Sequence, residues 1–131
     1  MEELQKKSTA ETGRHYEETA YQYLEKAGMK MLQKNFRCRQ GEIDLIGLHK
    51  GCLVFVEVKF RGSTKSGMPE EAVGEAKQKK ICRASDYFRM KHPQLSRMQV
   101  RYDVLALCRE EIRWHQNAFP YRPGSHQVMS W

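Results

Sequence analysis

Residues 41–61 read GEIDLIGLHKGCLVFVEVKFR, and their pattern decides the fold. Two apolar stretches, Glu42 to Leu48 and Cys52 to Phe60, flank the short turn of His49, Lys50 and Gly51, with glycine where a hairpin needs a positive φ. Successive strand side chains point to opposite faces of a sheet. Val54, Val56 and Val58 therefore share one face, while Phe55, Glu57 and Lys59 share the other. Asp44 interrupts the first strand among Ile43, Leu45 and Ile46, as Glu57 and Lys59 interrupt the second. A tight hairpin brings Asp44 near Glu57. Two carboxylates and an ammonium then converge at one end of an apolar sheet.

Outward from the hairpin, the periodicities define the remaining elements. Upstream, Tyr16, Ala20, Tyr23, Leu24 and Ala27 recur at helical steps, predicting a helix from Thr9 to Ala27 that stops at Gly28. A looser strand is expected over Met29 to Arg37. Downstream, Arg61 to Met68 is rich in Gly, Ser and Lys and reads as a mobile loop. Pro69, Glu70 and Glu71 suit the first turn of a second helix, which reaches Lys91 with Val73, Ala76, Ile81, Ala84 and Phe88 as its buried stripe. Strands are expected over Gln99 to Cys108 and Ile112 to Gln116. The order α-β-β-β-α-β-β predicts an α/β fold, a mixed sheet flanked by helices. One domain over residues 9–118 and an aperiodic tail over residues 119–131 account for the chain. No glycine-rich nucleotide-binding loop is present.

The 131 residues suit a single core. No apolar run is long enough to span a membrane, and the N-terminal residues lack the apolar core of a signal peptide, so a cytoplasmic location is expected. Cys38, Cys52, Cys82 and Cys108 are too widely spaced for a structural zinc site and read as reduced, mostly buried residues. The five histidines show no metal-site spacing and are expected at the surface. A net charge of +7 favours a polyanionic partner.

Two neighbouring buried carboxylates repel, and one must hold a proton unless a cation compensates. Mg²⁺ fits such a site, because it takes oxygen ligands and keeps waters for chemistry. A nearby lysine can orient an activated water or stabilise charge developing on a phosphate. An acid-x-Lys triplet by itself carries no weight: about 1.4 are expected by chance in a chain of this composition. The second one here, Glu75 to Lys77, lies in a helix, where residues two apart do not share a face. Glu57 and Lys59 differ in lying within an apolar strand that follows Asp44. The rival reading is a cross-strand salt bridge at a wet sheet edge.

The residues of the two strand motifs resemble the PD-(D/E)xK nuclease superfamily, and more closely the YraN family, relatives of archaeal Holliday-junction resolvases. The similarity runs from about Gly13 to Asn117 and includes Gly13 to Glu17 with Ala20, Asn35, both strand motifs, and Arg101 to Val104. Ile43 stands where the superfamily name has Pro. The resemblance implies a restriction-endonuclease-like fold and cleavage of DNA, branched DNA included, with Mg²⁺ or Mn²⁺ as cofactor. It implies that Glu17, Asp44 and Glu57 hold the metal and that Asp44, Glu57 and Lys59 carry the catalysis. From residue pattern alone, Glu17 is a boundary carboxylate of its helix, and Glu42 is open as a further ligand or cap. Arg14, Arg37, Arg39, Arg61, Lys65 and Lys77 flank the motifs and are the expected phosphate contacts. Gln78 is open as an assisting residue, Lys79 as a solvated one, and Asp103 as the partner of Arg101 or Arg37. A homodimer is expected by analogy with junction resolvases. A nuclease fold that binds DNA without cutting it, or a basic scaffold, is the alternative.

Overall fold

The computed structural model describes residues 9–61, 73–109 and 111–124, with side chains described from residue 15 to 60 in the first of these segments. The periodic stretch near the N-terminus forms helix α1, Thr9–Lys26. Gly28 follows it with φ 103°, a left-handed conformation that ends the helix. Strands β1 (Lys30–Cys38), β2 (Gly41–His49) and β3 (Cys52–Arg61) come next, then helix α2 (Glu75–Lys91), strand β4 (Gln99–Cys108) and strand β5 (Ile112–His115). A single 3₁₀ turn, Pro93–Leu95, links α2 to β4.

Among the described residues the strands make one sheet in the order β1-β2-β3-β4-β5. β3 and β4 are parallel, and the other neighbours are antiparallel. The β2–β3 turn has φ 50° at Lys50 and φ 79° at Gly51, the pair of positive values that a type I′ hairpin requires. It sets the register that pairs His49 with Cys52 and Leu45 with Val56.

Alternation distributes the core between the two faces. Ile46, Phe55, Tyr102 and Val104 pack with Ile81, Ala84 and Phe88 of α2. Leu45, Val54, Val56, Leu105 and Leu107 pack with Ala20 and Leu24 of α1. The result is a three-layer α/β sandwich, with the parallel pair at its centre.

The second helix differs from its sequence reading. Val73 is buried but precedes the helix, Gly74 is its N-cap in extended conformation, and Ala76 is exposed. The buried stripe starts only at Ile81, because the first turn of α2 projects past the packed part of the sheet. The expected Pro69 start and the Arg61–Met68 loop lie outside the described residues, except that Arg61 ends β3.

Residues 118–124 have no helix or strand, as their aperiodicity suggests, yet they pack along α2. The Ala118 N–H donates to the Tyr102 carbonyl at 2.7 Å, and the Phe119 ring stacks on Tyr102 at 5.3 Å. Arg83 donates to the Tyr121 hydroxyl, and Arg122 donates to the Gln78 side chain at 2.6 Å.

Asp103 is the partner of Arg101. It is fully buried and accepts from Arg101 Nε and Nη2 (2.9 Å each), Trp114 Nε1 (2.8 Å) and the Asn117 N–H (2.9 Å). His49, expected at the surface, is buried beside this network, 3.0 Å from Arg101 Nη2. Burial, then the Arg101 and Lys50 charges, lowers its affinity for a proton against the opposing pull of Asp103. The cysteines are free, as expected, but only Cys82 is buried; the other three are half-buried.

Candidate active site

The acids lie where β2 and β3 part. The last pair in their ladder is Leu45 with Val56; one step further along each strand come Asp44 and Glu57. Instead of continuing the ladder, Asp44 Oδ2 accepts the Val58 N–H at 2.7 Å. Gly41, at the start of β2, runs close under α2: a side chain there would meet the Lys80 carbonyl at 3.1 Å. That close approach sets the helix N-terminus over the acids.

Glu57 is only 5% exposed, which does not match a wet sheet edge. Its Oε2 lies 2.5 Å from Lys77 Nζ and 3.6 Å from Lys59 Nζ. Asp44 is half-buried, and its proton affinity is raised from the ordinary 3.8 to about 8. Burial is the largest cause, followed by the Glu57 charge. The Val58 hydrogen bond opposes them, while a hydrogen bond with Glu57 and the charge of Glu17 add to them. Lys77 holds its own proton more firmly than usual: partial burial works against the charge, but the Glu57 contact, with help from Lys59 and Asp44, outweighs it.

The donor set fits a small hard cation in one respect: two oxygen-bearing side chains repel each other strongly enough to hold a proton between them. The third expected ligand is less well gathered. Glu17 is half-buried on α1 and its charge reaches Asp44, yet among the described residues no three His, Cys, Asp or Glu side chains come together as a metal-binding group. Glu42 turns to solvent and pairs with Arg37 at 3.1 Å.

Of the expected phosphate contacts, Arg37 is exposed and held by Glu42, and Arg39 is exposed beside the β1–β2 turn. Lys77 is about half exposed, with its Nζ on Glu57 Oε2. The side chains of Arg14, Arg61 and Lys65 lie outside the described residues. Lys79 is exposed with Glu75 3.9 Å away, a solvated pair. Gln78 is half-buried and donates to the Val73 carbonyl at 2.9 Å, so it braces the helix start.

Two basic residues near the site escaped the sequence reading. Lys80 borders a groove of about 460 Å³ with Gly41, Glu42 and Lys77. Its position three after Lys77 on one helix was the available signal. Arg122 reaches the helix start through Gln78 and Glu75, and no periodicity in its segment marked it.

A mixed sheet with a helix on each face, carrying an acid–acid–lysine set where the central hairpin splays, is a restriction-endonuclease-like arrangement. A family model described as "Uncharacterised protein family UPF0102" matches residues 16–107. The chain belongs to this family, which is the YraN family of the PD-(D/E)xK nuclease-like superfamily. A UPF0102 protein of Syntrophotalea carbinolica is 41% identical over 119 residues, covering 91% of this chain and 94% of its own. One from Caldanaerobacter subterraneus is 42% identical over 125 residues, covering 91% and 100%. One from Syntrophus aciditrophicus is 43% identical over 107 residues, covering 77% and 84%.

Proposed function

We propose that this protein is a metal-dependent endodeoxyribonuclease that cleaves DNA phosphodiesters, with branched or junction DNA as its substrate class. The observation that carries this reading is the adjacent pair Asp44 and Glu57, costly in a fold with no use for it, with Lys59 on the same face. Asp44 and Glu57 would hold Mg²⁺ or Mn²⁺, with Glu17 supporting them. The ion would supply an acidified water and charge neutralisation at the phosphate. Lys59 orients the attacking water and stabilises negative charge on the phosphoryl oxygens as the P–O bond breaks. Lys77 balances Glu57 and turns to a phosphate oxygen when metal and DNA enter. Lys80, Arg37 and Arg39 supply the surrounding positive field.

Two equivalent cuts across a junction need two sites, so a homodimer is the assembly that suits such a substrate. Among the described residues no helix is long and apolar enough to cross a membrane.

One observation favours a second reading, DNA binding without cleavage: Lys77 Nζ sits directly on Glu57 Oε2, so this chain supplies its own cation for that carboxylate. A panel of linear, flapped and four-way DNAs incubated with Mg²⁺, Mn²⁺ or EDTA separates the two. Metal-dependent strand scission that disappears in Asp44→Asn and Lys59→Ala supports the nuclease. Binding without scission in every metal establishes the alternative.

A further inference from the structure

Next to the acids, on the α1 side of the sheet, lies a pair of rings that the proposed chemistry does not use. Phe60, near the end of β3, is 47% exposed, large for a phenyl side chain on a central strand. One face of it is covered by Tyr16 of α1, with ring centroids 4.2 Å apart and planes within 18°. His15 meets the Tyr16 edge at 5.5 Å. Tyr16 also walls a recess of about 290 Å³ that Thr19, Leu107, Arg109 and Ile112 help to line. Glu111 stands at this recess too, but Arg113 engages its carboxylate at 3.1 Å.

The position matters as much as the exposure. Phe60 lies on the α1 face, opposite to Glu57 and Lys59 but two residues beyond Val58, whose N–H Asp44 accepts, and Tyr16 precedes Glu17, whose charge reaches Asp44. The rings stack on each other, and the cationic Arg109 lines the recess that Tyr16 walls. An aromatic ledge with positive charge at its margin suits a nucleobase on an anionic backbone. Bases inside a duplex already stack on both sides, so away from duplex ends a free base face exists only where a nucleotide is unpaired.

We propose that the Tyr16–Phe60 ledge takes an unpaired nucleobase beside the scissile phosphate, so that the substrate class is DNA with a single-stranded nucleotide at the cut site. This rests on the nuclease reading above and narrows it.

The test measures binding in EDTA, where no cleavage intervenes, by anisotropy of labelled DNA. Three DNAs are compared: a blunt duplex, the duplex with a short single-stranded extension, and the same extension with abasic nucleotides. Wild-type protein prefers the base-bearing extension over the abasic one. Phe60→Ala and Phe60→Leu lose affinity for the base-bearing extension by roughly 5- to 150-fold, the conversion of about 1–3 kcal/mol for one stacked base. On the abasic extension neither substitution adds a further loss, and Phe60→Trp restores the preference. Equal losses on abasic and base-bearing DNA, or no preference in the wild type, overturn the ledge. A loss that tracks a change in oligomeric state by light scattering also overturns it, since the rings then serve contact between copies of the chain. If wild-type protein binds and cleaves DNA yet shows no preference, the nuclease reading stands and only the ledge falls. If it binds none of the DNAs, both fall.

Discussion

Asp44→Asn is expected to make the metal-free protein more stable while removing its response to Mg²⁺. Asparagine keeps the shape of the side chain, can accept the Val58 N–H, and can donate to Glu57 without a charge. The folded state holds the Asp44 proton up to about 8, whereas an unfolded chain releases it near 3.8. Below pH 4 both states carry the proton and the substitution changes little. Between pH 4 and 8 the unfolded chain binds fewer protons than the folded one, so wild-type stability falls as pH rises. Above about pH 8 both states are ionised and the penalty is complete. Each tenfold change in proton affinity is worth about 1.4 kcal/mol, which bounds the gain at roughly 6 kcal/mol. Side-chain rotation and water at this half-buried position lower the realised gain to about 1–4 kcal/mol, the scale found when buried charges are replaced by neutral groups. Urea melts in EDTA at pH 5, 6.5 and 8 measure it, and taking variant minus wild type cancels other titrations. Added Mg²⁺ should then stabilise the wild type through linkage and leave the variant unmoved. A difference that stays flat from pH 5 to 8, or a variant less stable at pH 8, refutes the electrostatic account of this pair.

Lys59→Ala should melt within about 1 kcal/mol of wild type, because the closer Lys77 still pairs with Glu57, while cleavage falls on the order of 10²–10³-fold. Wild-type cleavage by this variant, in a single-turnover assay, would remove Lys59 from the mechanism. Lys77→Ala leaves the nearly buried Glu57 with only the more distant Lys59, so the metal-free protein should lose about 1–3 kcal/mol, recovered in part by Mg²⁺. Loss of stability that Mg²⁺ does not touch counts against a shared cation site. Asp103→Ala strands Arg101 and removes acceptors from Trp114 and Asn117; a cost of about 3–5 kcal/mol is expected by chemical denaturation, and near-neutral behaviour would contradict the buried network. DNA affinity should fall steeply with salt, and Arg37→Glu with Arg39→Glu should reduce both affinity and that slope.

The site was legible in the sequence where its geometry follows from local rules. A two-residue turn at Lys50 and Gly51 fixes the register of β2 on β3, and counting outward from it brings Asp44 and Glu57 to neighbouring positions. Period-two alternation then assigns Glu57 and Lys59 to the face shared by Phe55, away from Val54 and Val56. Neither inference needs to know what covers the sheet. The contact of Lys77 with Glu57 depends on where α2 begins relative to the sheet, and a hydrophobic stripe that starts at Ile81 says nothing about the turn before it. His49 was misplaced for a similar reason: a polar residue beside a turn looks solvated until Trp114 and Arg101, from later strands, close over it.

Residues 118–124 show the same limit most clearly. Their contacts with α2 are made by Phe119, Tyr121 and Arg122 at irregular intervals, and each meets a different partner: Tyr102, Arg83 and Gln78. No period exists to detect, because the segment follows the shape of a surface that other elements create. The consequence bears on function. Gln78 holds the Val73 carbonyl with one end of its amide and receives Arg122 at the other, so the C-terminal strap braces the turn that presents Lys77 to Glu57. The acids therefore owe their position to a hairpin written in the sequence, and their counter-cation to a helix start that the far end of the described chain secures.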